Sequence, residues 1–252
     1  MFQCTYREYP GRLAVIRVGY RGGMSWHTGP LAALDLEATG VDPATDRIVE
    51  VALVEVAPDG TATEIVNRLI NPGIPMPRAA AEITGITSAE LRERGGDPAD
   101  VLGETLTAIR RFVHDEIPIA IYNAPYDWPL LAKELARYEL GTLPGVPPAV
   151  IVDPLVLDRH VDRYRKGKRP LAVTAKHYGV NIGGAHRAAA DAITTAGVAR
   201  ALAARYPALH LDGTDLVALQ IEAYRTWRDD LNEYLARIGA DRPSIVGEWP
   251  GC

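Results

Sequence analysis

Residues Leu31–Gly40 read LAALDLEATG. An apolar run that ends in small residues and glycine reads as a buried strand followed by a turn. Alternate side chains of a strand share a face and lie about 7 Å apart along it. Asp35 and Glu37 therefore share the face of Leu31 and Ala33, while Leu34 and Leu36 point to the other side. Two ionised carboxylates so close at the end of a buried strand repel each other and lose hydration. A divalent cation relieves both penalties, and oxygen ligands suit Mg²⁺ or Mn²⁺. A solvated strand end can also carry Asp-x-Glu, so the other acids of the chain must carry the argument.

Downstream, Ile48–Val56 is apolar and β-branched and reads as a second strand, Pro58-Asp59-Gly60 as a tight turn, and Thr61–Ile70 as a third strand. The connections are too short for crossovers, so the three form an antiparallel meander. Glu82–Thr87 reads as a loop, and Thr87 or Ser88 caps a short helix to Arg94. Pro98–His114 has helical periodicity, Ile117–Tyr122 is a short buried strand, and Pro125–Tyr138 is a helix. Val150–Val152 is a last short strand, with helical segments near Pro154–Val161 and Pro170–Tyr178. Gly183-Gly184 breaks the chain before an alanine-rich helix over His186–Arg205. The fold class is α/β, with a sheet of mixed direction flanked by helices.

The chain has 252 residues, 47% of them hydrophobic, enough for a sizeable core. A net charge of −5 does not mark a nucleic-acid binder, so such binding needs a local basic patch. Cys4 and Cys252 stand near the termini and rule out a disulfide framework. With no signal-peptide pattern, they point to a reducing cytoplasm. No run of eighteen apolar residues exists, so no membrane association is expected. Residues 1–28 are expected to be a poorly ordered extension, with a short strand at Leu13–Val18, a second plausible start at Met24 and a solvated His27. Residues 29–206 form the main domain and 207–252 an appendage. Within the appendage, Tyr224, Trp227, Leu231, Tyr234 and Ile238 form an amphipathic helical stripe that packs on the chain's own domain.

Two further motifs follow the acidic strand. Asn123-Ala124-Pro125-Tyr126-Asp127 leaves a buried strand and opens a helix, with proline in the first turn and Asp127 near the positive end of the helix dipole. His186-Arg187-Ala188-Ala189-Ala190-Asp191 opens the last alanine-rich helix, and a buried Asp191 there needs a partner. Taken singly, Asp127 reads as a helix-stabilising acid, and His186 equally as a surface helix-start histidine or a catalytic one.

In order and spacing, the three motifs and the Thr84-Gly85-Ile86-Thr87 segment resemble the DEDDh branch of the DnaQ-like 3′–5′ exonucleases, over Leu31 to about Ala203. The resemblance implies a ribonuclease H-like fold, a five-stranded mixed sheet made of the meander and two parallel strands with the first strand central. It implies two bound Mg²⁺ or Mn²⁺ ions. Asp35 would bridge both, Glu37 and Asp191 would bind the nucleophile-side ion, Asp127 the second, and His186 would be the general base. It implies substrate contacts from the Thr39-Gly40 turn, which holds a 3′ hydroxyl, and from Leu36 and Ile86, which wedge against the terminal base. Asn123 and Tyr126 join this set. Thr84 stands where many relatives have histidine, and Tyr126 where phenylalanine is usual.

Arg159, Arg163, Arg165, Lys166, Lys168 and Arg169 make the one dense basic run, between the second and third motifs. It is expected to grip the phosphates upstream of the 3′ end; a solvated loop is the alternative. The expected reaction is removal of nucleoside monophosphates from single-stranded 3′ ends, DNA first. RNA 3′ trimming and a non-catalytic nucleic-acid-binding module are the rivals. A third reading is a subunit associated with a DNA polymerase or another replication or repair protein, docked through the 214–238 helix.

Overall fold

Strand β1 (Leu31–Ala38) lies at the centre of a five-stranded sheet of order β3-β2-β1-β4-β5. In the computed structural model, which describes residues 25–147, 149–183, 187–241 and 244–251, β1 pairs antiparallel with β2 (Ile48–Val56), which pairs antiparallel with β3 (Ala62–Leu69). On its other side β1 pairs parallel with β4 (Ile119–Ala120), and β4 with β5 (Ile151–Val152). The expected meander and parallel pair are both present. Strands β4 and β5 are shorter than the apolar runs suggest, because only two rungs of each pair in register before the chain leaves the sheet.

Helix α1 (Arg78–Thr84) occupies part of the stretch read as a loop, and is followed by α2 (Ser88–Arg94) and α3 (Pro98–His114). Asp97 caps α3, its side chain accepting from the amides of Ala99 and Asp100, with Pro98 in the first turn. Helix α4 (Ala124–Arg137) follows β4, and α5 (Pro154–Val161) follows β5. After α6 (Leu171–His177), helix α7 (Ala188–Arg205) packs across β1 and β2. It begins two residues later than expected. Strand β2 is covered on both faces, so even Glu50 within it is only 1% exposed.

A long last helix, α8 (Gly213–Arg237), packs on α5 and β5. Gln220 on α8 donates to the carbonyl of Ile151 at 2.8 Å and accepts from the amide of Asp153 at 2.6 Å. Trp249 is buried and its Nε1 donates to Asp153 at 3.2 Å. The appendage thus seals the β5 side of the sheet. Its apolar stripe is buried at Tyr224, half-buried at Trp227 and Leu231, and runs into solvent at Tyr234 and Ile238.

Of the expected extension, only 25–28 fall among the described residues, and they are built into the fold. Trp26 is fully buried and donates to the carbonyl of Leu209 at 2.8 Å, while the half-buried His27 stacks on His210 at 4.0 Å. The strand expected at 13–18, the start at Met24, and both cysteines lie outside the described residues. No helix among the described residues is long and apolar enough to cross a membrane.

Candidate active site

The carboxyl-terminal ends of β1 and β4 and the amino-terminal ends of α4 and α7 meet at one edge of the sheet. Strand β1 contributes Asp35 and Glu37, and α7 contributes Asp191 from its first turn. One carboxylate oxygen from each of Asp35, Glu37 and Asp191 lies within 4.8 Å of the others, the one such acidic group among the described residues. Asp127, in the first turn of α4, is 6% exposed and stands beside this trio.

The electrostatics report the crowding. Burial pushes Asp35 well above the usual carboxylate range, and the charges of Asp127, Glu37, Asp191 and Glu50 push it further. Burial, then Glu50 and Asp191, raise Glu37 to about 7. Burial, Glu37 and Asp153 raise Asp127, opposed by the backbone amides of Leu36 and Asp127 itself. Hard oxygen donors at this spacing, with their ionised forms penalised, suit one or more divalent cations of the Mg²⁺ or Mn²⁺ kind. Asp35, Glu37 and Asp191 are the residues placed to hold one, with Asp127 adjacent. His186 lies outside the described residues, so its position relative to the acids is not described.

A fifth acid belongs to this edge and was not singled out in the sequence. Glu50 lies directly opposite Glu37 in the β1–β2 register. Its carboxylate pairs with Arg187 at 3.3 Å and accepts from the amide of Ala188 at 3.4 Å, at the start of α7. The available signal was an acid near the start of the apolar IVEVALVEV run, whose other acid is Glu55. A second omission is Asp153, buried between two helix starts. It accepts from the amides of Asn123 and Ala124, which open α4, and from those of Leu155 and Val156 in α5. The signal was an Asp-Pro pair directly after a strand.

The expected substrate contacts fare unevenly. Asn123 is exposed and sits in the left-handed region at φ 66°, held there by Asp153. The Tyr126 hydroxyl donates to the carbonyl of Gly40, tying α4 to the turn after β1. A Cβ at Gly40 would meet the Asp46 carboxylate at 2.5 Å, so the turn closes only around glycine. Thr39 does not present its amide to a ligand: that N–H donates to Arg47, and the hydroxyl donates to Asp46. Leu36 and Ile86 are not exposed wedges. Leu36 faces the covered side of the sheet, and Ile86 packs with Val49, Leu69, Met76 and Leu91. Thr84, whose hydroxyl accepts from the Ile86 amide, lines with Ile86 and Arg187 a cavity of about 320 Å³. The exposed apolar side chain on its rim is Ile83.

The basic run is also partly committed. Arg165 and Arg169 both hold the buried Asp158, the latter at 2.6 Å, and each side chain is only 10% exposed. These two act as struts between α5 and the turn after it, not as open phosphate grips. Arg163 pairs with Asp230 at 2.6 Å, while Lys166 and Lys168 are exposed.

With that geometry in hand, residues 32–199 match the family model of the exonucleases of the RNase T type. The PolC-type DNA polymerase III of Staphylococcus haemolyticus is 32% identical over 162 residues, which cover 64% of this chain and 10% of the polymerase. That of Lacticaseibacillus paracasei is 27% identical over 207 residues, covering 82% and 12%. The chain thus spans about a tenth of the length of these curated relatives. Among solved structures, E. coli exonuclease I in complex with a dT13 oligonucleotide superposes with a TM-score of 0.60 at 21% identity, covering 72% of this chain and 42% of that one. Exonuclease X in complex with 5′-overhanging duplex DNA gives 0.53 at 21%, covering 74% and 99%. Both likenesses concern the fold, which carries the five-stranded mixed sheet described above. On the family match, the chain belongs to the exonucleases, as a DnaQ-like member with the ribonuclease H-like fold.

Proposed function

We propose that the chain is a DEDDh-type 3′–5′ exonuclease that releases nucleoside monophosphates from single-stranded 3′ ends, DNA first. The observation that carries the proposal is the convergence of Asp35, Glu37 and Asp191 to within 4.8 Å at a sheet edge that Asp127 also borders. Nothing in a mere binding surface calls for acids so crowded that the ionisation of Asp35 and Glu37 is opposed.

When bound, two Mg²⁺ or Mn²⁺ ions supply an activated water and neutralise charge at the leaving oxygen. Asp35 would serve both ions, Glu37 and Asp191 the one on the nucleophile side, and Asp127 the other. His186 accepts the proton of the attacking water, which a neutral imidazole does at about pH 7–8. Glu50 and Arg187 brace the start of α7, and with it Asp191. The preference for DNA draws on the polymerase relatives and on the oligonucleotide bound in the exonuclease I neighbour. A replication or repair polymerase is the partner these relatives suggest, with the exposed end of α8 at Tyr234 and Ile238 as its contact.

The test is digestion of matched DNA and RNA oligonucleotides, labelled at either end, with Mg²⁺, Mn²⁺ or chelator. The expected result is stepwise shortening from the 3′ end, faster on DNA and abolished by chelator. His186→Ala should lose at least a hundredfold in turnover while retaining metal and strand binding. Faster digestion of RNA would move the substrate class, and an unimpaired His186→Ala would remove the DEDDh assignment.

A further inference from the structure

A groove of about 840 Å³ runs between the end of α5, the turn over 163–169 and the middle of α8. Its walls carry Arg159, Arg163, Arg165, Lys168, Arg169 and Trp227. Only two acids, Glu222 and Asp230, join them. Asp230 is taken by Arg163, and Glu222 pairs with Arg225 at 3.3 Å. With Arg163 set against Asp230, and Arg165 and Arg169 against Asp158 and Asp162, Arg159 and Lys168 leave the groove net positive in an otherwise acidic chain. The groove's α5 and 163–169 walls lie inside the segment that matches the exonuclease family, residues 32–199, and its α8 wall lies outside it.

Arg159 is its most telling residue. The guanidinium stacks on the Trp227 ring at 3.6 Å, which fixes its plane. Its Nη1 is buried and has no hydrogen-bond partner among the described residues. A buried guanidinium N–H without an acceptor is costly, and a shift of Arg159 toward the groove would let an anionic oxygen satisfy it. Arg165 and Arg169, locked on Asp158, supply a rigid positive wall behind it. Lys168 is exposed at the rim.

The turn that walls the groove is tied to the segment that enters the catalytic edge. The Tyr122 hydroxyl donates to the carbonyl of Arg169 at 2.7 Å, and Tyr122 directly precedes Asn123 and the start of α4. We propose that this groove binds the phosphodiester backbone of the substrate strand upstream of the end being cut, with Arg159 on its Trp227 platform as the central phosphate ligand. The proposal rests on the nuclease reading above for the direction of the strand. Planar guanidinium and indole groups recognise phosphate and base together without reading sequence, so the site tolerates any base.

The test is fluorescence anisotropy of the full chain with 5′-labelled oligo(dT) of three and twelve nucleotides. Asp35→Asn serves as background, to prevent turnover. Arg163→Gln/Lys168→Gln removes two rim charges from exposed positions, and Trp227→Leu removes the platform while keeping apolar bulk. In each variant, the affinity for the twelve-mer is expected to fall about tenfold and that for the trimer less than twofold. The double variant should also flatten the slope of log Kd against log salt by about 1.4, near 0.7 for each lost phosphate contact on a single strand. Equal effects on both lengths, or none, would overturn the proposal. So would 5′-dTMP displacing the twelve-mer at matching affinity, since the groove would then be a product site. Because binding is the readout, an absence of metal-dependent digestion by the wild type would count against the nuclease reading alone.

Discussion

Substituting Glu37→Gln should make the metal-free protein more stable at alkaline pH, although the site loses a ligand. Burial, Glu50 and Asp191 raise the Glu37 carboxyl from 4.5 to about 7. Because the folded value exceeds the unfolded one, its stabilising contribution is complete below about pH 4.5 and is lost as pH rises through 7. Holding such a group ionised at pH 8 costs about 3 kcal/mol, and solvent access to Glu37 trims this to about 2 kcal/mol. A neutral glutamine of the same shape escapes that cost. For a chain of this size, each kcal/mol moves Tm by about 2–4 °C, so Glu37→Gln should melt about 4–8 °C above wild type at pH 8 in chelator. At pH 5 the gap should nearly close. Adding Mg²⁺ or Mn²⁺ should reverse the order at pH 8, because the ions stabilise the wild type and bind the variant weakly. Scanning calorimetry at both pH values, with chelator and with metal, reads all of these. A variant that melts below wild type, or alongside it, at pH 8 in chelator would show that the acids are not electrostatically frustrated.

Asp153→Asn should destabilise the protein by about 2–4 kcal/mol in urea unfolding, because a buried carboxylate that accepts from two helix starts is replaced by an amide with one acceptor oxygen. Retention of wild-type stability would make those contacts incidental. Glu50→Gln keeps the shape but discards the pairing with Arg187, and should speed amide hydrogen exchange over Ala188–Asp191 about tenfold while that of α3 stays constant. Unchanged exchange there would remove Glu50 from its bracing role.

The parts of the fold legible in the sequence are those where pattern and structure share a cause. The alternating acids of β1 and the β-branched run of β2 mark the central pair because both are covered on two faces. Helix α3 announces itself through Asp97-Pro98 and a full apolar stripe. Helix α1 does not, since Pro77 offers no side-chain cap and only Ala80 and Thr84 are buried. The acids of the site could be listed from motif spacing, but Glu50 could not, because its role depends on which residue faces Glu37 across the ladder. The basic run was visible as charge, yet its partners Asp158 and Asp230 come from α5 and α8. Counting arginines therefore overstated how many are open to phosphate. The two residues read as wedges show a similar effect: an apolar side chain near a cleft is readily drawn toward the core, as Leu36 and Ile86 are.

Gln220 has a further consequence. Its side-chain amide meets an outward carbonyl and an outward amide of the β5 edge, the same two groups an added strand would use. One residue thereby ends the sheet on that side and closes it to self-association through backbone pairing. The opposite border, β3, is stopped among the described residues at its end, where the Gly96 amide donates to the Leu69 carbonyl at 2.9 Å, and elsewhere relies on Glu64 and Arg68, with a bulge opposite it at Leu53/Val54, to discourage neighbours. Any fibril or strand-swapped species of this protein would therefore grow from the β3 border alone.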